Sequence, residues 1–189
     1  PNFANLFMTS PEINIDPTIA GSVVGTYWFL MMIGRLCGAS IGAKVSSRAM
    51  LTVVSTVGIV LVLGAIFCAD NILVNMPVFK SDISFGFAQV PVNVMLLILC
   101  GLCTSVMWGG IFNLAVEGLG KYTAAASGLF MVMVCGGGIL PLIQGGVADF
   151  AGFLNSYWVI ALGLAYILFY AAIGSKNVNT DIPTDDYEA

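Results

Sequence analysis

Residues 49–69 read AMLTVVSTVGIVLVLGAIFCA, a run of 21 residues without a charged side chain. About 20 consecutive apolar residues suffice for a helix to cross the hydrocarbon core of a bilayer. Four more uncharged runs lie around it, at residues 17–34, 83–116, 122–148 and 150–175. All five are continuously apolar rather than alternating, which indicates helices and not the strands of a membrane barrel. We therefore predict five membrane-spanning helices, at residues 18–42, 49–69, 92–116, 123–147 and 154–174.

The composition excludes several classes of protein. Of the 189 residues, 59% are apolar and 8% are charged, whereas a soluble domain has about 45–50% apolar and about 25% charged residues. An ordinary soluble enzyme and a disordered chain are therefore excluded. Six Lys and Arg residues and a net charge of −4 leave no basic surface for nucleic acid. The chain has no histidine, which removes histidine-based catalysis, and we expect neither a metal site nor a cofactor.

The positions of the cations predict the orientation of the spans, because cytoplasmic segments of membrane proteins are enriched in Lys and Arg. Five of the six cations lie at one end of the predicted helices and one lies at the other end: Arg35, Lys44, Arg48, Lys121 and Lys176 against Lys80. We expect the N-terminus of the chain outside and the C-terminus in the cytoplasm. The chain then divides into an external segment (1–17), a membrane domain (18–175) and a disordered acidic cytoplasmic tail (176–189).

Two features of the sequence concern what lies outside the spans. The linker at residues 70–91 mixes apolar and polar residues and fits either a short interfacial helix or a loop. The chain starts at Pro1 rather than at Met and shows no export leader. We therefore expect that the N-terminal part of the protein is missing from this sequence.

The first predicted span contains glycines at every fourth position, Gly34, Gly38 and Gly42. They share one helix face, which favours close approach of a neighbouring backbone. Arg35 lies beside this face, near the cytoplasmic end. It either reaches the membrane interface with its long side chain or forms an ion pair in a cytoplasmic gate, and we predict the gating role. Tyr27 belongs either to the outer aromatic belt or to a solute-binding site.

The third predicted span ends in a stretch that combines aromatic, glycine and polar residues. Gly109, Asn113 and Glu117 recur at every fourth position and lie on one helix face. Asn113 can donate and accept hydrogen bonds, which suits a sugar hydroxyl or a contact between helices. Trp108 offers a flat apolar face, either for the C–H face of a pyranose or for packing. Glu117 can pair with Lys121 or with Arg35 and is predicted to take part in gating.

The fourth predicted span is interrupted by helix-breaking residues. Gly136, Gly137 and Gly138 precede Pro141 in the middle of the uncharged run. Unwound backbone at membrane depth is tolerated where it is buried or lines a cavity, so a broken helix here indicates a translocation path. Gln144 follows Pro141 by three residues, and its amide requires either a protein partner or a solute.

The cysteines are interpreted as packing residues. All five fall within the predicted spans or at their ends, and an odd number argues against a disulfide framework. Cys100 and Cys103 have the spacing of a redox motif but lie inside a long apolar run. They are expected to act as small apolar side chains.

Three of these stretches resemble helices of the major facilitator superfamily. Residues 27–38 (YWFLMMIGRLCG) resemble the eighth helix of such transporters. Residues 111–123 (IFNLAVEGLGKYT) and 136–145 (GGGILPLIQG) resemble the tenth and eleventh helices of one branch, the fucose–galactose–glucose:proton symporter family. The similarity covers residues 4–175. The chain departs from the family at Trp108-Gly109-Gly110, where many members have an aromatic residue followed by proline.

The resemblance implies an all-α integral membrane protein that forms the C-terminal half of a twelve-helix bundle in a bacterial inner membrane. Residues 1–10 would be the outer end of helix seven. The complete protein would import glucose, galactose or fucose with protons by alternating access, and its coupling carboxylates would lie in the missing N-terminal half. The sugar-binding residues in this half would be Tyr27, Trp108, Asn113 and Gln144.

Two other functions were compared with sugar transport. A self-contained membrane scaffold or partner subunit would use the glycine faces for association and would not transport. A membrane thiol oxidoreductase would need Cys100 and Cys103 near an aqueous surface, which their apolar surroundings disfavour. We therefore expect a transporter and not an enzyme.

Overall fold

The computed structural model describes residues 2–11, 13–68, 72–80 and 84–176. This part of the chain folds into helices and one β-hairpin, in the order α1 (Asn2–Thr9), α2 (Pro17–Gly42), α3 (Ser47–Phe67), β1 (Leu73–Phe79), β2 (Phe85–Pro91), α4 (Val92–Val116), α5 (Thr123–Met133), α6 (Gly136–Ala151) and α7 (Phe153–Phe169). A 3-10 turn (Gly120–Tyr122) precedes α5, and a π-helical turn (Tyr170–Gly174) extends α7. Apart from Lys176, the predicted acidic tail lies outside the described residues.

Five segments of the described chain are long and apolar enough to cross a membrane. They are α2, α3, α4, the segment Gly120–Ala151 that contains α5 and α6, and the segment Phe153–Gly174 that contains α7. This confirms the predicted all-α membrane fold with five spans. The bounds of the spans differ from the predicted ones by at most four residues. The second and fourth spans extend past their uncharged runs and include Arg48, Lys121 and Asp149.

The start of α2 is defined by Asp16 and Pro17. The carboxylate of Asp16 accepts a hydrogen bond from the backbone N–H of Thr18 at 2.8 Å and caps the helix. Pro17 occupies the first helical turn, where its missing N–H leaves no hydrogen bond unmade. Ser46 caps α3 in the same way, by accepting from the backbone N–H of Ala49.

Helix α4 lies in the middle of the bundle and packs against α2 on one side and α3 on another. The glycine face of α2 makes the first contact possible. A Cβ atom at Gly34 would lie 2.8 Å from Ser105 Cβ and 3.0 Å from the carbonyl oxygen of Leu102. One at Gly38 would collide with the side chain of Val106. These two glycines therefore pack within this chain, as the spacing predicted.

Buried side chains form two clusters. The first lies between α3, α4 and α7 and contains Leu51, Val62, Met107, Leu114 and Leu164 among others. The second joins α1, α2, the hairpin and the start of α4, and contains Phe7, Met8, Val23, Val78, Val90 and Ile98 among others. The hairpin is thus part of the hydrophobic core rather than a loose connection.

The linker at residues 70–91, predicted as an interfacial helix or a loop, instead contains this β-hairpin. Strands β1 and β2 pair antiparallel, with Leu73 opposite Pro91 and Phe79 opposite Phe85. Alternate side chains point into the core, so that Met76 and Val78 are buried while their neighbours are exposed or half-buried. The hairpin forms because α2 and α4 cover its buried face. The sequence of the linker alone does not show these contacts.

The tip of the hairpin rests on the middle of α2. The backbone N–H of Phe79 donates to the hydroxyl of Thr26 at 2.9 Å. The ring of Phe29 stacks on Phe79 with centroids 5.0 Å apart and meets Phe85 edge-on at 5.5 Å. At its base, the backbone N–H of Val92 donates to the carbonyl of Ile72 at 2.9 Å, so the hairpin is held at both ends.

Candidate functional site

A cavity of about 310 Å³ lies among the spans, at the N-terminal end of α1. Helices α1, α2, α3, α4, α6 and α7 contribute to its wall, which consists of Phe3, Ala4, Tyr27, Val62, Leu97, Ile98, Cys100, Thr104, Pro141, Gln144, Tyr157 and Ile160. Two of the four predicted sugar-binding residues, Tyr27 and Gln144, are therefore brought together at one cavity. Thr104 and Tyr157 are polar members of the wall that the sequence did not single out.

The hydroxyl of Tyr27 is held by α4. It lies 3.0 Å from the hydroxyl of Thr104, which in turn donates to the carbonyl of Cys100 at 3.1 Å. The backbone of α2 approaches closely here, since a Cβ at Gly101 would lie 2.7 Å from the carbonyl oxygen of Tyr27. The Tyr27–Thr104 pair is therefore a fixed polar feature at the middle of two packed spans.

The amide of Gln144 connects α6 to α7. Its Nε2 donates to the hydroxyl of Ser156 at 3.4 Å, and that hydroxyl donates to the carbonyl of Phe153 at 2.6 Å. Gln144 is 5% exposed. One of the two N–H donors of this amide is thus used within the chain.

The other two predicted sugar-binding residues lie away from this cavity, both in the second half of α4. Trp108 is 47% exposed, and its ring meets Phe130 of α5 edge-on at 5.4 Å. Asn113 is exposed and lines a cleft of about 590 Å³ together with Ser46, Ser47, Arg48 and Glu117 among others. The four residues therefore occupy three locations and not a single pocket.

The two predicted gating residues lie on different surfaces. Arg35 is exposed, and its Nη2 lies 3.8 Å from the sulfur of Met31 on the same helix. Glu117 follows the last residue of α4 and lines the cleft that contains Asn113 and a second cleft near Ser175. In this conformation the structure does not bring Arg35 and Glu117 together.

The interruption of the fourth span lies at Val134 and Cys135, directly before the three glycines. The backbone N–H groups of Gly137 and Gly138 donate to the carbonyls of Val134 and Cys135, three residues back, at 2.8 and 2.9 Å. The helix is therefore tightened over this turn. Pro141 lies inside α6 and reaches the cavity wall.

A contact that the sequence did not indicate ties the start of α3 to the end of the last span. The guanidinium of Arg48, at the start of α3, donates from Nη2 to the carbonyl of Ser175 at 2.8 Å. This carbonyl follows the π-helical turn, at a helix end where backbone acceptors lack partners of their own. Arg48 was assigned only to the orientation of the spans, because a pattern of charges does not show which distant helix end lies beside it.

Comparison with known proteins gives clear relatives. A glucose/galactose transporter of Brucella abortus is 30% identical over 172 residues, which are 90% of this chain and 37% of that protein. The L-fucose-proton symporter of Escherichia coli is 33% identical over 92 residues, which are 48% of this chain and 21% of that protein. The chain is homologous to these sugar transporters over most of its own length. No family model matches it, and no solved structure matches it significantly.

The chain spans little more than a third of the length of the glucose/galactose transporter. Both relatives are named as transporters, which supports the prediction that the chain is not an enzyme. The cysteine pair Cys100 and Cys103 lies buried in α4, as the packing interpretation requires.

Proposed function

We propose that this chain is the C-terminal half of a twelve-helix symporter that imports a hexose-type sugar with protons by alternating access. One observation carries the proposal: 90% of the chain aligns with a protein named as a glucose/galactose transporter, yet covers 37% of it. Proton coupling is proposed from the relative named as an L-fucose-proton symporter. The missing N-terminal half would be the partner of this chain, in a bacterial inner membrane.

The sugar is proposed to bind against one face of α4. Substrates of such transporters bind near the bilayer midplane where structural repeats meet. Thr104 and Trp108 are four residues apart, one turn along the same face of the helix. The Tyr27–Thr104 hydroxyl pair supplies hydrogen-bonding groups, and the half-exposed indole of Trp108 supplies a flat surface for the C–H face of a pyranose. This combination supports Tyr27 and Trp108 as sugar contacts.

Asn113 and Gln144 would act at different distances from this position. Asn113 lies toward the cytoplasmic end of α4, in the cleft with Ser46, Ser47 and Glu117, and is proposed to meet the sugar on its way to the cytoplasm. Gln144 lies across the cavity from Tyr27. One of its two N–H donors is already bonded to Ser156, and its amide oxygen is the acceptor proposed for a sugar hydroxyl.

The proposed orientation puts the Arg48 end of the bundle in the cytoplasm and the start of α2 outside. Arg35 and Glu117 then lie at the cytoplasmic end, where gating requires them to come together in another conformation. The interruption between α5 and α6 is proposed to be the bending point during alternating access. It lies in a segment whose most apolar 18-residue window has no buried residue, so few side-chain contacts oppose its movement.

The scaffold alternative depended on glycine faces that are free for association. Gly34 and Gly38 are already packed against α4, so this one face is not available to another protein.

The proposal is tested by sugar counterflow in proteoliposomes with the complete protein. Trp108→Ala is expected to weaken the apparent affinity for the preferred hexose by about tenfold, equivalent to about 1.4 kcal/mol. Asn113→Ala should weaken uptake as well. Trp158→Ala is the matched control, because Trp158 is 43% exposed on α7 and lines none of the described cavities. Wild-type affinity of both site variants for glucose, galactose and fucose would refute the assignment.

A further inference from the structure

The direction of the hydrogen bond between Tyr27 and Thr104 follows from the other contacts of Thr104. The Thr104 hydroxyl has one proton, and its oxygen lies 3.1 Å from the carbonyl oxygen of Cys100 and 3.3 Å from that of Gly101. A carbonyl oxygen can only accept, so the proton of Thr104 points into its own helix. The Tyr27 hydroxyl, 3.0 Å away, therefore donates to Thr104, because only this arrangement makes both contacts hydrogen bonds.

The side chain of Tyr27 is held against the surface of α4. A Cβ atom at Gly101 would lie 3.1 and 3.4 Å from two ring carbons of Tyr27, and the ring meets Trp28 edge-on at 5.5 Å. Tyr27 is buried and lines the cavity. Since its proton is used by Thr104, its oxygen has only lone pairs left and can only accept a hydrogen bond from an occupant of the cavity.

Tyr157 of α7 supplies the opposite kind of group to the same cavity. Its side chain lines the cavity and is 8% exposed. Within the described part of the chain its hydroxyl has no hydrogen-bond partner. Packing does not seal this hydroxyl, since Ser55 Oγ is the sealed side-chain atom without a partner among the described residues. The proton of the Tyr157 hydroxyl is therefore free to be donated into the cavity.

Few other polar groups of the wall compete with these two hydroxyls. Gln144 keeps its amide oxygen and one N–H for an occupant. Most of the remaining wall is apolar, including Val62, Leu97 and Ile160. A small number of placed polar groups in an apolar wall is typical of sites that bind a small molecule and fix its orientation. An occupant that carries hydroxyl groups on a C–H skeleton fits such a wall.

We propose that Tyr157 is a further sugar contact, and that the cavity binds the sugar with a fixed direction of hydrogen bonding: a sugar hydroxyl donates to Tyr27, and a sugar oxygen accepts from Tyr157. Thr104 is a positioning residue, since it acts through Tyr27 by taking up its proton. This inference rests on the proposed function and adds to it that one sugar group has to be a donor. It predicts selection of hydroxyl over fluorine at one ring position, because a C–F group cannot donate.

Removal of the Tyr157 hydroxyl tests the donor. Tyr157→Phe in the complete protein is expected to weaken the apparent affinity for the preferred hexose in counterflow about tenfold, as loss of one hydrogen bond predicts. The melting temperature of the sugar-free protein in detergent should stay equal or rise, because this hydroxyl has no internal partner to lose.

Tyr166→Phe is the matched control for Tyr157→Phe, because Tyr166 lies exposed on the same helix and outside the walls of the cavity and the two clefts. It should change neither the affinity nor the melting temperature. Unchanged affinity of Tyr157→Phe, or weaker affinity together with a lower melting temperature, would overturn the role of Tyr157.

Fluorinated hexoses test the direction of the bond at Tyr27. In each analogue one hydroxyl of the preferred hexose is replaced by fluorine or by hydrogen, and competition in counterflow gives its affinity. We expect one ring position at which the wild-type protein binds both analogues at least about tenfold more weakly than the parent hexose, because neither can donate.

The same analogues show whether Thr104 sets this direction. Thr104→Val keeps the shape of the side chain and frees the proton of Tyr27, so the preference for the parent hexose over the fluorinated analogue should fall to about threefold or less. Thr104→Ser keeps the hydroxyl and should keep the wild-type preference. An equal preference in Thr104→Val and the wild type, or no selective ring position, would overturn the proposed direction of hydrogen bonding.

These measurements separate the inference from the proposed function. Absence of wild-type counterflow with glucose, galactose and fucose would refute the proposed function, and this inference with it. Wild-type counterflow combined with unchanged affinity in Tyr157→Phe and unchanged preference in Thr104→Val would overturn the inference alone.

Discussion

The hydroxyl of Thr26 accepts a hydrogen bond from the backbone N–H of Phe79 at 2.9 Å, 53 residues further along the chain. The same hydroxyl donates to the carbonyl of Ser22 at 2.9 Å. This hydroxyl thus donates within α2 and accepts from the hairpin, and the second bond fixes the tip of the hairpin on α2. The base of the hairpin is bonded at the start of α4. The hairpin therefore connects α2 to α4, in addition to the direct packing of the two helices.

Replacement of Thr26 by Val should release the hairpin tip. The valine keeps the shape of threonine but cannot accept from the N–H of Phe79, and an unsatisfied backbone donor costs about 1–3 kcal/mol when buried. Hydrogen exchange of the Phe79 amide is expected to become faster, with a lower melting temperature in detergent. Thr56→Val is the matched control, because its hydroxyl bonds only to Thr52 on its own helix. Unchanged exchange at Phe79 would contradict the role of Thr26.

Replacement of Gly34 by Ala should separate α2 from α4. The new Cβ would meet Ser105 and the carbonyl of Leu102 at distances that require the helices to move, and overpacking of this kind costs about 1–3 kcal/mol. Thermal unfolding in detergent measures the loss. Gly163→Ala on α7 is the control, since nothing lies within 4 Å of its added Cβ. An equal melting temperature for the two variants would show that the close approach at Gly34 is not needed.

Replacement of Arg48 by Ala should loosen the end of the last span. The charged hydrogen bond to the carbonyl of Ser175 is lost, and bonds of this type contribute about 1.5–3 kcal/mol. Amides in the π-helical turn Tyr170–Gly174 are expected to exchange at least about tenfold faster, which corresponds to about 1.4 kcal/mol. Lys44→Ala removes a nearby exposed cation and serves as control. Equal exchange in both variants would assign the effect to net charge.

The cap at Asp16 should depend on pH in a defined direction. The backbone N–H of Thr18, followed by other hydrogen bonds at this helix start, holds the pKa of the Asp16 carboxyl below its ordinary value of 3.8. Because the pKa is lower in the folded protein, the stabilisation is complete well above pH 3.8 and is lost as the pH falls through the lower folded-state pKa. The amide shift of Thr18 in nanodiscs should titrate with a midpoint below 3.8. Asp16→Asn should abolish this titration, and a midpoint above 3.8 would disprove the prediction.

The spans could be predicted closely because each depends on a local property of the chain. The run at residues 49–69 has the length and hydropathy that a bilayer requires, and α3 (Ser47–Phe67) covers all but its last two residues. Gly136, Gly137, Gly138 and Pro141 were predicted to break the fourth span, and all four lie inside α6, directly after the interruption at Val134 and Cys135. The glycine face of α2 was recognised from spacing alone.

The hairpin and the grouping of the site residues depend on contacts with distant helices. The spacing of residues along the sequence does not show these contacts. Strand β1 includes Pro77, which usually indicates a loop or an edge strand, and its buried face exists only because α2 and α4 cover it. Trp108 and Asn113 were grouped with Tyr27 by residue chemistry. Whether a residue of α4 faces the cavity, a cleft or another helix depends on the helices packed around α4, and these are separated from α4 in the sequence.

The segment Gly120–Ala151 has a mean hydropathy of 2.0 over its most apolar 18 residues, none of which is buried. Its entry into the bilayer during synthesis therefore requires no neighbouring helix, since partitioning from the translocon into lipid depends on the apolar side chains of the segment itself. Insertion into the bilayer and packing against other helices are separate events for this segment. It is therefore expected to enter the bilayer before it packs against α4 and α7.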